Sequence, residues 1–123
     1  MIFLMLSILS LHALEWKSYE EGLKEAKKSG KLLMIDIVRD GCHYCSDMDH
    51  QVFSDSQMAS WIEGCFVPVK INISHETLPK TLTVEVTPTF VFMPSDQTPV
   101  KEILGAWSKE DFKALSQTLC KEK

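Results

Sequence analysis

A surplus of positive charge is missing from this chain. Lysine and arginine total 13 against 17 aspartates and glutamates, a formal charge of -4, and the few lysine clusters are interleaved with glutamate. Holding a nucleic acid backbone takes a basic patch, so nothing here marks nucleic acid as a partner. Also lacking is an unbroken apolar run of about 20 residues, the length that crosses a bilayer. Internal repeats and low-complexity stretches are absent, and 123 residues suit one hydrophobic core with no room for a second domain. No second CxxC and no closely spaced histidine pair accompanies Cys42 and Cys45. A structural zinc site would therefore have to complete its ligands from His43, His50, Cys65 or Cys120.

What is present begins with a compositional break. Met1 to Leu11 is nearly all apolar, too short to span a membrane but of the length expected for the core of a secretory signal. Cleavage after Ala13 leaves a chain starting Leu14-Glu15-Trp16 and places residues 14–123 in an oxidising compartment, the periplasm of a bacterium. No Lys or Arg precedes the run, and Leu11 is larger than the residue usual at that place. The alternatives are a first strand or a retained membrane anchor facing the periplasm.

Beyond that point helical and extended patterns alternate. Ser18 with Glu21 forms a capping box for a helix that carries Tyr19, Leu23 and Ala26 on one face and stops at Gly30. Lys31 to Val38 is a mostly apolar run of the kind buried on both faces of a parallel sheet. A helix is expected from Cys42 to about Val52, with a break near Ser54. Ser54 and Gln57 offer a second capping box, and the helix restarts through Met58 and Ile62 to Gly64. Phe66 to Ile73 reads as a strand whose first residues, given Pro68, lie at a sheet edge or outside the hydrogen-bonded ladder. His75 to Val84 is polar and poorly patterned, a loop with a short helix. Thr89 to Met93 and Val100 to Leu104 read as a hairpin, and a last helix from Ser108 buries Phe112, Leu115 and Leu119. Together these elements predict an α/β sandwich.

Cys42-His43-Tyr44-Cys45 falls at the junction between strand and helix. Two thiols separated by two residues can close a disulfide there, and the free N–H groups and positive dipole end of the helix stabilise a thiolate at Cys42. This pattern, with Asp36 six positions upstream, Thr87-Pro88-Thr89 downstream and the local run from Asp36 through Phe53-Ser54-Asp55, resembles the thioredoxin superfamily over nearly all of residues 14–123. Within it the chain is similar to the C-terminal domain of the transmembrane reductase DsbD and to small periplasmic reductases.

The resemblance implies a mixed central sheet with helices on both faces and a role for each site residue. Cys42 is the expected nucleophile and Cys45 the resolving thiol. Asp36, an acid in an apolar strand, is the expected acceptor of the Cys45 proton. A protonated His43 favours the Cys42 thiolate, Tyr44 shapes the surface around the sulfurs, and Thr87 with a cis Pro88 faces the substrate. Gly41 and Ser46 depart from the tryptophan and lysine common at these places in thioredoxins. In that arrangement Cys65 and Cys120 end up near each other at the far end of two helices, as a structural disulfide or as two unrelated thiols. The expected activity is reduction of protein disulfides by a monomer with no bound metal or cofactor, recharged by a membrane electron donor of the DsbD or CcdA type. The alternatives are a non-catalytic binding module and, with opposite poise, a disulfide oxidant or isomerase.

Overall fold

The computed structural model describes residues 13–120. The expected leader, residues 1–13, therefore lies outside the described residues except for Ala13. Helix α1 spans Tyr19–Ser29, with Ser18 Oγ accepting from Glu21 N–H and Gly30 at φ 76° closing its C-terminus. Strand β1 is Leu32–Val38, followed by helix α2 at His43–Met48. Its continuation, Asp49–Phe53, is a wider π-helical turn. Helix α3 is Ser56–Cys65, β2 Phe66–Asn72, β3 Thr89–Met93 and β4 Lys101–Leu104. Helix α4, Lys109–Ser116, ends in a 3-10 turn at Gln117–Leu119.

The four strands form one mixed sheet in the order β2-β1-β3-β4. Strand β1 runs parallel to β2 and antiparallel to β3, and β3 pairs antiparallel with β4. Alternation along the strands divides the core into two layers. Leu33, Ile35, Ile37, Val67, Val69 and Val91 face α1, whose Ala26 packs among them. Met34, Phe66, Phe90 and Phe92 face the opposite side, where α2, α3 and α4 contribute Met48, Ile62 and Phe112. At Gly22 helix α1 lies close against the sheet: a Cβ there would fall on Val69 Cγ2 and press on Leu33. Pro68 lies on the edge strand with its carbonyl turned outward to accept from Lys17 N–H at 3.0 Å, so the N–H it lacks costs no ladder bond.

Three local expectations are corrected. The helix after Cys42 does not remain α-helical to Val52. It widens at Asp49–Phe53, which buries the adjacent residues Val52 and Phe53 together. Asp55, not Ser54, caps α3, because its carboxylate accepts from Met58 N–H at 2.9 Å while Lys109 holds the other oxygen at 3.1 Å. The segment His75–Val84 contains no helix; it is irregular chain anchored by Leu82, which is buried in the α1 layer.

Candidate functional site

Strand β1 aims the chain at the site. Its alternation sends Asp36 to the same face as Met34, beneath α2, while Val38 ends the strand and packs with Cys42 and Cys45. Arg39, Asp40 and Gly41 make the turn into α2, with Gly41 at φ 69°, a conformation that a tryptophan would adopt only with strain. Asp40 pins this turn: its N–H donates to Ser74 Oγ at 3.0 Å, and its carboxylate accepts from Asn72 Nδ2 at 2.9 Å and meets His75 Nε2 at 2.8 Å.

Cys42 is the N-cap of α2, and its sulfur accepts the Cys45 N–H at 3.1 Å. Cys42 and Cys45 are joined as a disulfide with Cα atoms 5.3 Å apart, and both are buried. The Thr87–Pro88 peptide bond is cis, and Thr87 Oγ1 lies 3.3 Å from Cys42 Sγ. His43 and Tyr44 project from the first turn into solvent, Tyr44 being 61 % exposed. A shallow groove beside the disulfide is lined by Arg39, Cys42, Cys45, Asp49 and Lys70. On the other side, Tyr44 and Trp107 line a second groove, and Trp107 N–H donates to the Met48 sulfur at 3.2 Å.

Behind the disulfide the sheet carries charge. Asp36 is 1 % exposed, and its Oδ1 has no hydrogen-bond partner among the described residues. Burial pushes its carboxyl up from 3.8 to about 7, against the attraction of Lys70 and with a further upward push from Asp49. Register explains the arrangement: Asp36 pairs with Lys70 across β1 and β2, so the two share a face. Lys70 Nζ stands 4.0 Å from Asp36 Oδ2 and 2.9 Å from Asp49 Oδ1, and 4.5 Å over the Trp16 ring. Cys65 and Cys120 are not part of this site. They form a second disulfide, Cα atoms 4.8 Å apart, that ties the end of α3 to the chain after α4. No cluster of three metal-binding side chains occurs among the described residues.

A family model described as a thioredoxin-like domain matches residues 19–119. The chain belongs to this family. Its thioredoxin-like character extends to sequence relatives: it is 33% identical over 92 residues to thioredoxin H4 of Arabidopsis thaliana, covering 75% of this chain and 74% of that protein. It is also 29% identical over 94 residues to Anterior gradient protein 3 of Mus musculus, covering 75% of this chain and 56% of the relative. The chain thus spans a little over half the length of that protein. Among solved structures, a thioredoxin from Thermus thermophilus superposes with a TM-score of 0.71 at 27% identity, covering 87% of this chain and 88% of that one. The DsbD C-terminal domain of Neisseria meningitidis shares the fold, with a TM-score of 0.64 at 17% identity over 85% of this chain and 99% of that one.

Sequence reasoning missed three members of this thioredoxin-like site: Lys70, Asp49 and Arg39. Lys70 carried a signal, being the only cation in the apolar run Phe66 to Ile73. Such an ion in a buried strand calls for an anionic partner. Arg39 and Asp49 gave none, because their roles depend on which loops the topology brings together.

Proposed function

We propose that the protein is an exported thiol-disulfide oxidoreductase that reduces protein disulfides. The observation that carries the reading is the Cys42–Cys45 disulfide at the start of α2, faced by Thr87 and Pro88. In the reduced protein the Cys42 thiolate attacks one sulfur of a substrate disulfide. A bond from Cys42 to the substrate forms, the substrate S–S bond breaks, and the departing thiolate takes a proton. Cys45 passes its proton to Asp36 and attacks Cys42 Sγ. The intramolecular disulfide closes and the second substrate thiolate leaves. Two electrons have passed to the substrate, and a dithiol donor must return them. An acid that ionises near 7 suits the proton step, since it accepts at neutral pH and releases readily. The exposed rings of Tyr44 and Trp107 offer apolar surface for the polypeptide around the substrate disulfide.

Export rests on the apolar run Met1 to Leu11, read as a signal segment removed after Ala13. The Cys65–Cys120 disulfide supports an oxidising compartment. Among the described residues no helix is long and apolar enough to cross a membrane, and a membrane electron donor of the DsbD or CcdA type is the proposed source of electrons. Insulin reduction by residues 14–123 tests the activity. Cys42→Ser abolishes turnover, and Cys45→Ser accumulates a mixed disulfide through Cys42. A reduction potential near or below about -230 mV fits a reductase, and one near about -120 mV assigns the opposite direction. Undiminished turnover by the Cys42→Ser, Cys45→Ser double variant overturns the reading.

A further inference from the structure

We infer that Arg39 is a positioning residue that locks the Thr87 hydroxyl as a hydrogen-bond donor to Cys42 and thereby lowers the pKa of the attacking thiol. The inference rests on the reductase reading of the site and deepens it. A threonine hydroxyl has one proton and two lone pairs, whereas a guanidinium can only donate. Arg39 Nε donates to Thr87 Oγ1 at 3.0 Å, so the hydroxyl oxygen is engaged as acceptor and its proton must point elsewhere. Cys42 Sγ is 3.3 Å away. Without Arg39 the hydroxyl proton is free to turn to water or other acceptors, so the donor to Cys42 is no longer set in advance and must be ordered when the thiolate forms.

Arg39 is itself held. The next residue, Asp40, is fixed by Ser74, Asn72 and His75, so the turn that carries the guanidinium is set before substrate arrives. The bond has little to gain from a disulfide sulfur, a weak acceptor, and much from a thiolate. Together with the Cys45 N–H at 3.1 Å, it gives the Cys42 thiolate two converging donors. The other charged groups near the sulfurs are Asp40, His43, Asp49 and Lys70, which line the same groove, and Asp36 beneath α2. Each is engaged away from Thr87: Asp40 with His75, His43 with Asp47, and Asp49 and Asp36 with Lys70. None of these pairs includes Arg39.

The test measures the Cys42 thiol pKa in the reduced protein, from thiolate absorbance and from the pH dependence of alkylation at Cys42. Wild type, Arg39→Ala, Thr87→Val, the double variant and Arg39→Lys are compared. Arg39→Ala is expected to raise the pKa by about one unit, a tenfold change in the ionisation constant worth about 1.4 kcal/mol. Thr87→Val gives a rise at least as large, and the double variant no more than the larger single change, because both substitutions act through the one hydrogen bond from Thr87 to Cys42. Arg39→Lys, which keeps a cation and a donor, recovers part of the shift. An unchanged pKa in Arg39→Ala overturns the inference, as does a double variant whose shift is the sum of the two singles. The reversible closure of Cys42 with Cys45 in thiol buffers is measured on the same samples. A pair that never closes refutes the reductase reading, whereas a pair that closes normally with an unmoved pKa refutes the role of Arg39 alone.

Discussion

Replacing Asp36 by asparagine should make the protein more stable at alkaline pH and worse at its proposed task. The side chains have nearly the same shape, so the change removes a charge and little volume. Burial raises the Asp36 carboxyl from 3.8 to about 7. Linkage fixes the sign: the folded state holds a proton that the unfolded state has already released between these values, so the stabilisation is complete below about pH 4 and is lost as pH rises through about 7. At about 1.36 kcal/mol per pH unit, ionising Asp36 in place costs the fold about 4 kcal/mol by pH 8, an upper figure for a site that Lys70 and local relaxation can ease. Lys70 keeps Asp49 at 2.9 Å in the variant, so no cation is orphaned to cancel the gain. Urea unfolding of the oxidised protein from pH 4 to pH 8 reads the effect directly. The difference between Asp36→Asn and wild type should be near zero at pH 4 and grow to a few kcal/mol at pH 8, while insulin reduction by the variant slows most near neutrality. A stability difference that is constant across this range would refute the reasoning, since a pH-independent gain comes from packing and not from a buried charge.

Loss of Lys70 acts on the same acid. Lys70→Met removes the attraction that holds the Asp36 carboxyl down, so its titration, followed by carboxyl carbon NMR, moves further above about 7, and the pH profile of insulin reduction moves with it. The second disulfide should contribute stability without chemistry. It closes a loop with a sequence separation of 55, for which loop entropy predicts about 4 kcal/mol, so Cys65→Ser with Cys120→Ser should unfold at much lower urea yet retain turnover per folded molecule. Gly22→Ala should cost about 1 to 3 kcal/mol in the same assay, because its methyl group meets Val69 and Leu33 where α1 lies against the sheet.

How much of this was legible depends on the range of the interaction. The strands beginning at Leu32, Phe66 and Thr89 announce themselves through apolar runs, and the caps at Ser18 and Ser108 through their own side chains. The cysteine pair is local too, three residues apart in sequence and bonded. The choice of Asp55 over Ser54 as a cap was not local: either side chain can accept the bond, and Lys109, 54 residues away, favours the carboxylate. The π-helical turn at Asp49–Phe53 escaped for a related reason, since helical periodicity reports which face is buried and not how wide a turn is. Lys70 was visible as an anomaly and unreadable as a function until register set it beside Asp36.

That register also explains why this sheet tolerates a carboxylate at its centre. An isolated ion beneath α2 would simply stay protonated or unfold the strand. Lys70 enters from the edge strand with its ammonium divided between Asp36, Asp49 and the Trp16 ring, at the wall of the groove that opens on the disulfide. It lowers the cost of ionisation without making Asp36 a permanent anion, and an acid balanced near 7 is the result. Stability given up at that end is of the same order as what the Cys65–Cys120 bond supplies at the other, where α3 ends and α4 has just finished. A staple placed within α2 would have stiffened the segment that exchanges bonds in the proposed reaction. Placed at the far end of the same helical layer, it restrains the unfolded chain and leaves Cys42 and Cys45 free to open.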